Sequence, residues 1–384
     1  MPKILVFTGG GLAPALNPTI YGVVKSAHNK GWQVLGGLYG WASLLPNDHQ
    51  VSLDDVDIEP LKQRGGTILR SSRTNPFNLE DGVSIVKEKI KKLNLDGIIA
   101  IGGDDTLGAA KKLAEAGLPI VGIPKTVDND LSGTYFTPGF PSAAHYLADF
   151  CRQIKEDAAY ALSRIFVIES PGMHAGWLAC SAIYGQADVI LPPEWEISVD
   201  KTLELISECY EKNGNYALVV VGQEVKFDKA IEVGQDKQVG EQFGHQRQEY
   251  IAMGLRKYIK EKLNIDTKAL YPGNYMESDD PTDLDRNMAI ALGEKAVELL
   301  KQKQYGQMAC IIRKNENISD LDIDNISLQE VVGYKKYKTL PEKYFNKEKL
   351  LPTQQFLDYM EPILGKWQEK DDDYTKLIQQ LKNK

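Results

Sequence analysis

Three stretches of the chain bring glycines, carboxylates and a lysine together where an apolar run gives way to a helix-like one. Residues 99–113 read IAIGGDDTLGAAKKL and set Asp104 and Asp105 side by side in a glycine turn. A carboxylate at the end of a parallel strand, beside glycines, suits Mg²⁺ held near a polyphosphate. The same spacing suits capping of the following helix by Asp105 or Thr106. Residues 123–130 read IPKTVDND. Here Lys125 can neutralise phosphate oxygens, and an aspartate of the pair Asp128 and Asp130 can take a hydroxyl proton as the nucleophile attacks. An Asx-rich turn is the structural alternative, although such a turn has no need of a lysine. Residues 8–17 read TGGGLAPALN, with Gly9, Gly10 and Gly11 in succession. Consecutive glycines let backbone N–H groups approach a phosphate. The run matches neither the Walker A nor the G-x-G-x-x-G pattern, and a tight turn accounts for it equally well.

The elements that must hold these turns follow from the alternation around them. Apolar runs in KILVFTGGG, WQVLGGLYG, DGIIAIGGDD and LPIVGIPKTVDND are separated by amphipathic segments such as TLGAAKKLAEAG. That pattern predicts a parallel α/β sheet, in which ligands bind at the carboxyl ends of the strands. A second set begins near Phe140: PSAAHYLADFCRQIKEDAAYA and AGWLACSAIYG as helices, SRIFVIESPG and NYALVVVGQE as strands. It predicts a second α/β lobe. Residues 263–280 read as loop-rich, and PTDLDRNMAIALGEKAVELLKQ as a strong helix. Beyond Met308 the pattern is mixed, and EKDDDYTKLIQQLKNK reads as a solvated terminal helix.

With 384 residues the chain can bury a large core, and two lobes are expected. Its 42% hydrophobic and 26% charged residues are ordinary for a soluble enzyme. A net charge of −8 argues against nucleic acid or an anionic membrane as partner. Cys151, Cys180, Cys209 and Cys310 are widely spaced, with no C-x-x-C pair, and are expected to be reduced core thiols. The N-terminal MPKILVFTGGG reads as a buried strand rather than a signal peptide, and no run approaches the roughly 18 apolar residues of a membrane span. A cytoplasmic location is expected.

GGDDTLGAAKKL followed by GIPKTVDNDL, with GGTILRSSR before and RIFVIESPGMHAGWLA after, resembles the 6-phosphofructokinase family of bacterial type. The similarity runs to about Gln304, with FGHQRQEYIAMGLRKYI and DPTDLDRNMAIALGEKAVELL in family order. A lone G-G-D-x-T would also suit NAD kinases and lipid kinases; the ordered set is far more specific. The resemblance implies two Rossmann-like α/β lobes with largely parallel sheets and the active site in the cleft between them. Residues 1–138 with about 276–305 would form the phosphate-donor lobe. Residues about 139–275 with 306–384 would form the acceptor lobe and a C-terminal extension.

Carried over by position, the resemblance makes Asp128 the base that deprotonates the sugar hydroxyl, with Thr126 and Asp130 beside it. Lys125 and Arg73 stabilise charge on the transferring phosphoryl group, Gly10, Gly11 and Thr106 belong to the donor turns, and Asp104 is the Mg²⁺-linked carboxylate. Arg164 matches an arginine that binds the sugar 6-phosphate across a subunit interface, which implies a homodimer or homotetramer. In this family the residue after the Mg²⁺ aspartate separates donors: glycine with ATP, aspartate with pyrophosphate. The Asp105 carboxylate would oppose an α-phosphate by bulk and like charge. Lys125 agrees with the P-K-T of pyrophosphate-type members, although some ATP-type relatives share it. Pyrophosphate is the expected donor and ATP the alternative.

The acceptor side departs from the family. An M-G-R before the H-A-G-W stretch is Pro171, Gly172 and Met173 here, and a Q-R pair is Met276 and Glu277. A glutamate facing a phosphate dianion repels it where arginine would clamp it. Gln223 stands where a sugar-binding glutamate is usual, with Glu224 beside it, and Lys268 aligns with a second phosphate-binding arginine. Each lost charged hydrogen bond is worth roughly 1.5–3 kcal/mol, which implies weak binding of fructose 6-phosphate unless Arg286 or Arg247 substitutes. His174 and His245 lack metal-ligand spacing and are expected in the framework or at the pocket rim. Tyr21 and Glu156 stand at arginine positions of the family's effector site, so nucleotide or phosphoenolpyruvate control there is not expected. The function expected is Mg²⁺-dependent transfer from pyrophosphate to the 1-hydroxyl of fructose 6-phosphate. A less anionic sugar or polyol is the alternative acceptor. A non-catalytic metabolite-binding paralogue is the alternative class, and the joint presence of Asp104, Thr126 and Asp128 argues against it.

Overall fold

The computed structural model describes residues 1–47, 49–229, 231, 251–314, 321–333, 337–367 and 380. Short Val- and Ile-rich runs, too brief and too apolar for surface helices, form buried strands, and the amphipathic runs between them form the covering helices. The first alternation is β1 (Lys3–Thr8), α1 (Leu16–Asn29), β2 (Gln33–Gly37) and β3 (Gln50–Ser52). It continues through α2 (Gly82–Leu93), β4 (Gly97–Gly102), α3 (Asp104–Glu115) and β5 (Ile120–Pro124). The second lobe opens with α4 (Phe140–Asp157), β6 (Ile165–Ser170), α5 (Trp177–Ser181), β7 (Val189–Leu191) and β8 (Glu196–Ile197). Then come α6 (Val199–Lys212), β9 (Ala217–Gly222), β10 (Lys226–Phe227), α7 (Ile251–Leu263), β11 (Thr267–Leu270) and α8 (Gly273–Ser278). The chain returns through α9 (Asp283–Lys301), β12 (Gln307–Arg313), β13 (Leu321–Ser327) and α10 (Leu328–Val331). It ends with β14 (Phe345–Asn346), β15 (Leu351–Pro352) and α11 (Gln354–Leu364).

Seven strands form the larger sheet in the order β13-β12-β5-β4-β1-β2-β3, parallel apart from the two edge strands β3 and β13. The second sheet, β11-β6-β9-β7, is parallel throughout. Both sheets are helix-covered, and the two-lobed α/β reading holds. Among the described residues no helix is long and apolar enough to cross a membrane. All four cysteines are unpaired, and Cys151, Cys180 and Cys310 are buried.

Three expectations need correction. Residues 263–280 are not simply a loop: they contain β11, whose four residues extend the second sheet beside β6, and α8. The sequence reading also assigns 306–384 to the acceptor lobe, yet β12 and β13 extend the larger sheet. The apolar QMACIIR run of β12 pairs in parallel with β5, covering an edge that would otherwise expose unpaired backbone. Helix α8, placed at the start of the donor-lobe return, packs against α4 of the second lobe, so the return begins with α9. The proposed terminal helix at 369–384 lies almost entirely outside the described residues, as do His245 and Arg247.

One buried carboxylate joins the return helix to the second lobe. Thr282 caps α9, and the fully buried Asp285 three residues on accepts from Gly139 N (2.9 Å), Ser142 N (3.3 Å) and Ser142 Oγ (2.5 Å) at the start of α4. Burial pushes its carboxyl up to about 6, partly offset by those donors. Asp285→Ala leaves the donors unsatisfied and should lower unfolding stability by about 2–3 kcal/mol in a urea titration; an unchanged midpoint would refute this structural assignment.

Candidate active site

Strands β1, β4 and β5 lie side by side in parallel, with Thr8 opposite Ile101 and Gly102 opposite Pro124. Their carboxyl ends therefore bring the three glycine and aspartate turns together, although the turns are far apart in sequence. Gly9 N donates to Ile101 O (2.9 Å) and Lys125 N to Gly102 O (2.9 Å). The Thr106 hydroxyl fills the space between the turns: a Cβ on Gly9 would lie 2.5 Å from its Oγ1, and one on Gly102 2.6 Å from it. Gly9 and Gly102 are thus needed to seat Thr106, which is buried.

Lys125 crosses from β5 to the first turn, where its Nζ donates to Gly11 O at 2.6 Å. The residue is only 3% exposed, and burial pushes its ammonium down to about 8. Glu277, Asp128 and Asp130 act in the opposite direction, and Arg73 adds to the lowering. Helix α3 is capped by Gly103, so neither aspartate nor Thr106 is its cap. Asp104 and Asp105 instead occupy the first turn of α3, where the helix dipole favours negative charge, and both line the cavity.

The third turn depends on Asn129, which is fully buried and adopts the left-handed conformation (φ 56°). Its Oδ1 accepts from Thr137 N (3.2 Å) and its Nδ2 donates to Tyr359 Oη (3.0 Å). Thr126 Oγ1 accepts from Asp128 N (3.1 Å), and Thr137 Oγ1 donates to Thr126 O (2.8 Å). The Asx-rich turn is therefore real, and it carries Asp128 and Asp130 on the cavity wall. Burial and the neighbouring Asp128 push the Asp130 carboxyl up to about 7, while His174 and Lys338 favour its ionised form.

The facing wall comes from the second lobe and the C-terminal segment. Met173 follows β6, Gln223 follows β9 and Glu277 sits on α8; all three line the cavity, a space of about 260 Å³. Of the donor-side residues, Gly10, Gly11, Arg73 and Thr106 line it with the two aspartates of α3, as do Lys125 and Thr126 from the third turn. Gly172 does not: it backs the wall at φ 118°, where a Cβ would lie 2.5 Å from Ala175 O. Glu224 faces an adjoining cavity and holds His174 Nδ1 at 3.4 Å, which raises the imidazole pKa. His174 thus sits at the rim, its ring centroid 4.4 Å from that of Tyr337.

Two predicted acceptor ligands lie elsewhere. Arg164 precedes β6 at the opposite end of the second sheet from the cavity, with Nε 3.4 Å from Asp266 Oδ2 and a side chain 14% exposed. Lys268, exposed on β11, pairs with Phe166 at that same end. Arg286 does not replace a lost arginine at the cavity, because its guanidinium binds Gln63 and Asp283. Sequence reasoning missed Ser72, Thr74, Asn274 and Tyr337 in the lining. The first two flank Arg73 and were findable from that motif, whereas Tyr337 lies in a segment without one.

Among the described residues no three His, Cys, Asp or Glu side chains form a ready-made metal cage. The Asp104 carboxylate on the cavity wall offers hard oxygen donors suited to a small divalent cation that takes its remaining ligands from water and bound phosphate.

A family model described as Phosphofructokinase matches residues 3–300. The chain is 40% identical over 324 residues, 84% of its length and 92% of the relative's, to a protein of Dictyoglomus thermophilum named pyrophosphate--fructose 6-phosphate 1-phosphotransferase. It is 34% identical over 342 residues, 88% of its length and 97% of the relative's, to ATP-dependent 6-phosphofructokinase 3 of Streptomyces coelicolor. The fold matches the solved structure of a pyrophosphate-dependent phosphofructokinase from Nitrosospira multiformis with a TM-score of 0.83. That match has 24% identity and covers 96% of this chain and 94% of the other.

The buried Lys125 places at the cavity wall a positive charge that exists only below its titration. Because burial sets that titration at about 8, the ammonium is present at lower pH and lost above it. Affinity for inorganic phosphate, measured by calorimetry, should fall several-fold between about pH 7.5 and 9.5, and Lys125→Arg should remove that dependence. An affinity that stays flat in the unsubstituted protein would remove Lys125 from the anion site.

Proposed function

The chain belongs to the phosphofructokinase family, and we propose from that premise that it transfers a phosphoryl group from pyrophosphate to the 1-hydroxyl of fructose 6-phosphate. The observation that carries the donor assignment is Asp105, which lines the cavity from the first turn of α3 immediately after Asp104. A carboxylate at that wall leaves a diphosphate unhindered and opposes the α-phosphate of a nucleotide by charge and bulk.

The chain's own groups divide the reaction between them. Backbone of the Gly10–Gly11 turn and the Arg73 side chain hold the donor. Lys125, fixed by Gly11 O, offsets charge on the transferring phosphoryl group. Asp128, held in its turn through Thr126 and Asn129, takes the acceptor hydroxyl proton. Asp104 would hold Mg²⁺, which spreads the charge of the bound phosphates when present. The assembly of Lys125, Asp128 and Asp104 in one cavity supports catalysis over a metabolite-binding role alone. Arg164 and Lys268, at the outer end of the second sheet, support a homodimer or homotetramer in which they serve a neighbouring copy's acceptor site. Unpaired cysteines suit a cytoplasmic location.

A second reading keeps the donor chemistry and changes the acceptor to a less anionic sugar or polyol. Met173 and Glu277 favour it, since both face the cavity where the family resemblance expects arginines. An assay crossing pyrophosphate and ATP with fructose 6-phosphate and unphosphorylated sugars, in Mg²⁺, tests both readings. Efficient turnover of fructose 6-phosphate with pyrophosphate is the expected result; turnover only with an unphosphorylated sugar selects the second reading, and turnover with neither refutes the function. Asp105→Gly should raise ATP-supported turnover about tenfold or more, and an unaltered donor preference would remove Asp105 from donor selection. Glu277→Arg should raise kcat/KM for fructose 6-phosphate about tenfold; no gain would mean that Glu277 does not limit its binding.

A further inference from the structure

Lys338 lies outside the family-matched residues 3–300, yet it is built into the loop that carries Asp128 and Asp130. Its Nζ donates toward Asn129 Oδ1 (3.3 Å), Thr134 O (3.2 Å), Tyr135 O (2.5 Å) and Tyr359 Oη (3.1 Å). The ammonium also lies 4.9 Å from the Trp177 ring centroid and 5.4 Å from that of Tyr359. Its backbone is fastened as well: Lys338 N donates to Asp130 O (2.7 Å), and Trp177 Nε1 donates to Lys338 O (2.7 Å). These four acceptors are uncharged, so the enclosed cation is not the half of a simple ion pair with any of them. Burial pushes its pKa down to about 7, and Asp130 holds it up.

A charge enclosed at such expense is informative because a methionine would fill similar volume without it. What the ammonium adds is a grip on Asn129, the one left-handed residue of the turn, and a positive charge behind the two aspartates. Lys338 itself is absent from the cavity wall, where its neighbour Tyr337 stands. Its influence must pass through Asn129 and the Asp130 backbone.

We propose that Lys338 is a positioning residue for phosphoryl transfer, fastening the Asn129 turn so that Asp128 meets the acceptor hydroxyl. This rests on the phosphotransfer reading above. It predicts a split between kinetic constants, since Gly11, Arg73 and Lys125 line the cavity whereas Lys338 stands behind the third turn, off the cavity wall.

The test is steady-state kinetics of the full-length Lys338→Met variant with pyrophosphate, Mg²⁺ and the best acceptor. Turnover should fall about 10- to 100-fold, the penalty of a slightly misplaced catalytic group, with KM for pyrophosphate within about twofold of the unsubstituted protein. Tyr359→Phe removes the hydroxyl between Asn129 and Lys338 and should lower kcat about 3- to 10-fold, again without a change in KM. It decides the matter if Lys338→Met fails to fold. Unaltered kcat in either folded variant overturns the proposal, as does a loss shared equally by kcat and the folded fraction. An unsubstituted protein with no pyrophosphate-dependent transfer refutes the functional reading instead, so the two failures are distinguishable.

Discussion

The contact on which the site depends is the one between the buried Lys125 ammonium and Gly11 O. Burying an ammonium is unfavourable unless its protons are satisfied and opposing charges stand near. Here a backbone carbonyl accepts one proton, and Glu277, Asp128 and Asp130 supply the opposing charge. The lysine therefore constrains several things at once. It sets how closely the first glycine turn approaches β5, and it draws carboxylates of the second lobe and the third turn toward one point. A side chain at Gly10 would come within 3.6 Å of the ammonium, and one at Gly9 would displace Thr106. The glycines, the threonine and the lysine form one packing problem with one solution.

The parts of this arrangement that sequence discloses are those written locally. Parallel strands announce themselves as short apolar runs because both faces are covered, and the first two turns follow because β1 and β4 run into glycines. The donor side is legible for the same reason: Asp104, Asp105, Lys125 and Asp128 all lie within a few residues of a strand end. The capping alternative for Asp105 could not be settled without the backbone, because a glycine in the cap position leaves no signature that separates it from a capping aspartate two residues later. The second lobe's contribution is less legible. Met173, Gln223 and Glu277 sit on three separate segments, and only a family resemblance relates them. Tyr337 and Lys338 carry no motif at all; what makes them matter is that the C-terminal segment returns to the Asn129 turn, a contact with a separation of 209 residues. The misplaced lobe boundary has the same origin, since the pairing of β12 with β5 rests on an edge left open in space rather than on any feature of the β12 sequence.

Charge balance connects the two halves of the cleft. The cavity holds carboxylates on Asp104, Asp105, Asp128, Asp130 and Glu277 against the cations of Lys125 and Arg73, with His174 at the rim already engaged by Glu224. A highly anionic donor entering such a space adds to the excess unless a divalent cation accompanies it. Burial, with Asp128 adding to it, pushes Asp130 up to about 7, and a lysine lies behind it. Lys125 on the cavity side and Lys338 behind the turn both offset the negative charge of Asp130. The donor end keeps its cations close and fixed, while the acceptor end facing the second lobe exchanges fixed cations for Met173 and Glu277. In the proposed reaction donor recognition rests on Lys125 and Arg73 at the cavity wall, and the proposed homo-oligomer would supply, through Arg164 and Lys268 at the second lobe's outer end, the cations that this chain's own acceptor wall lacks.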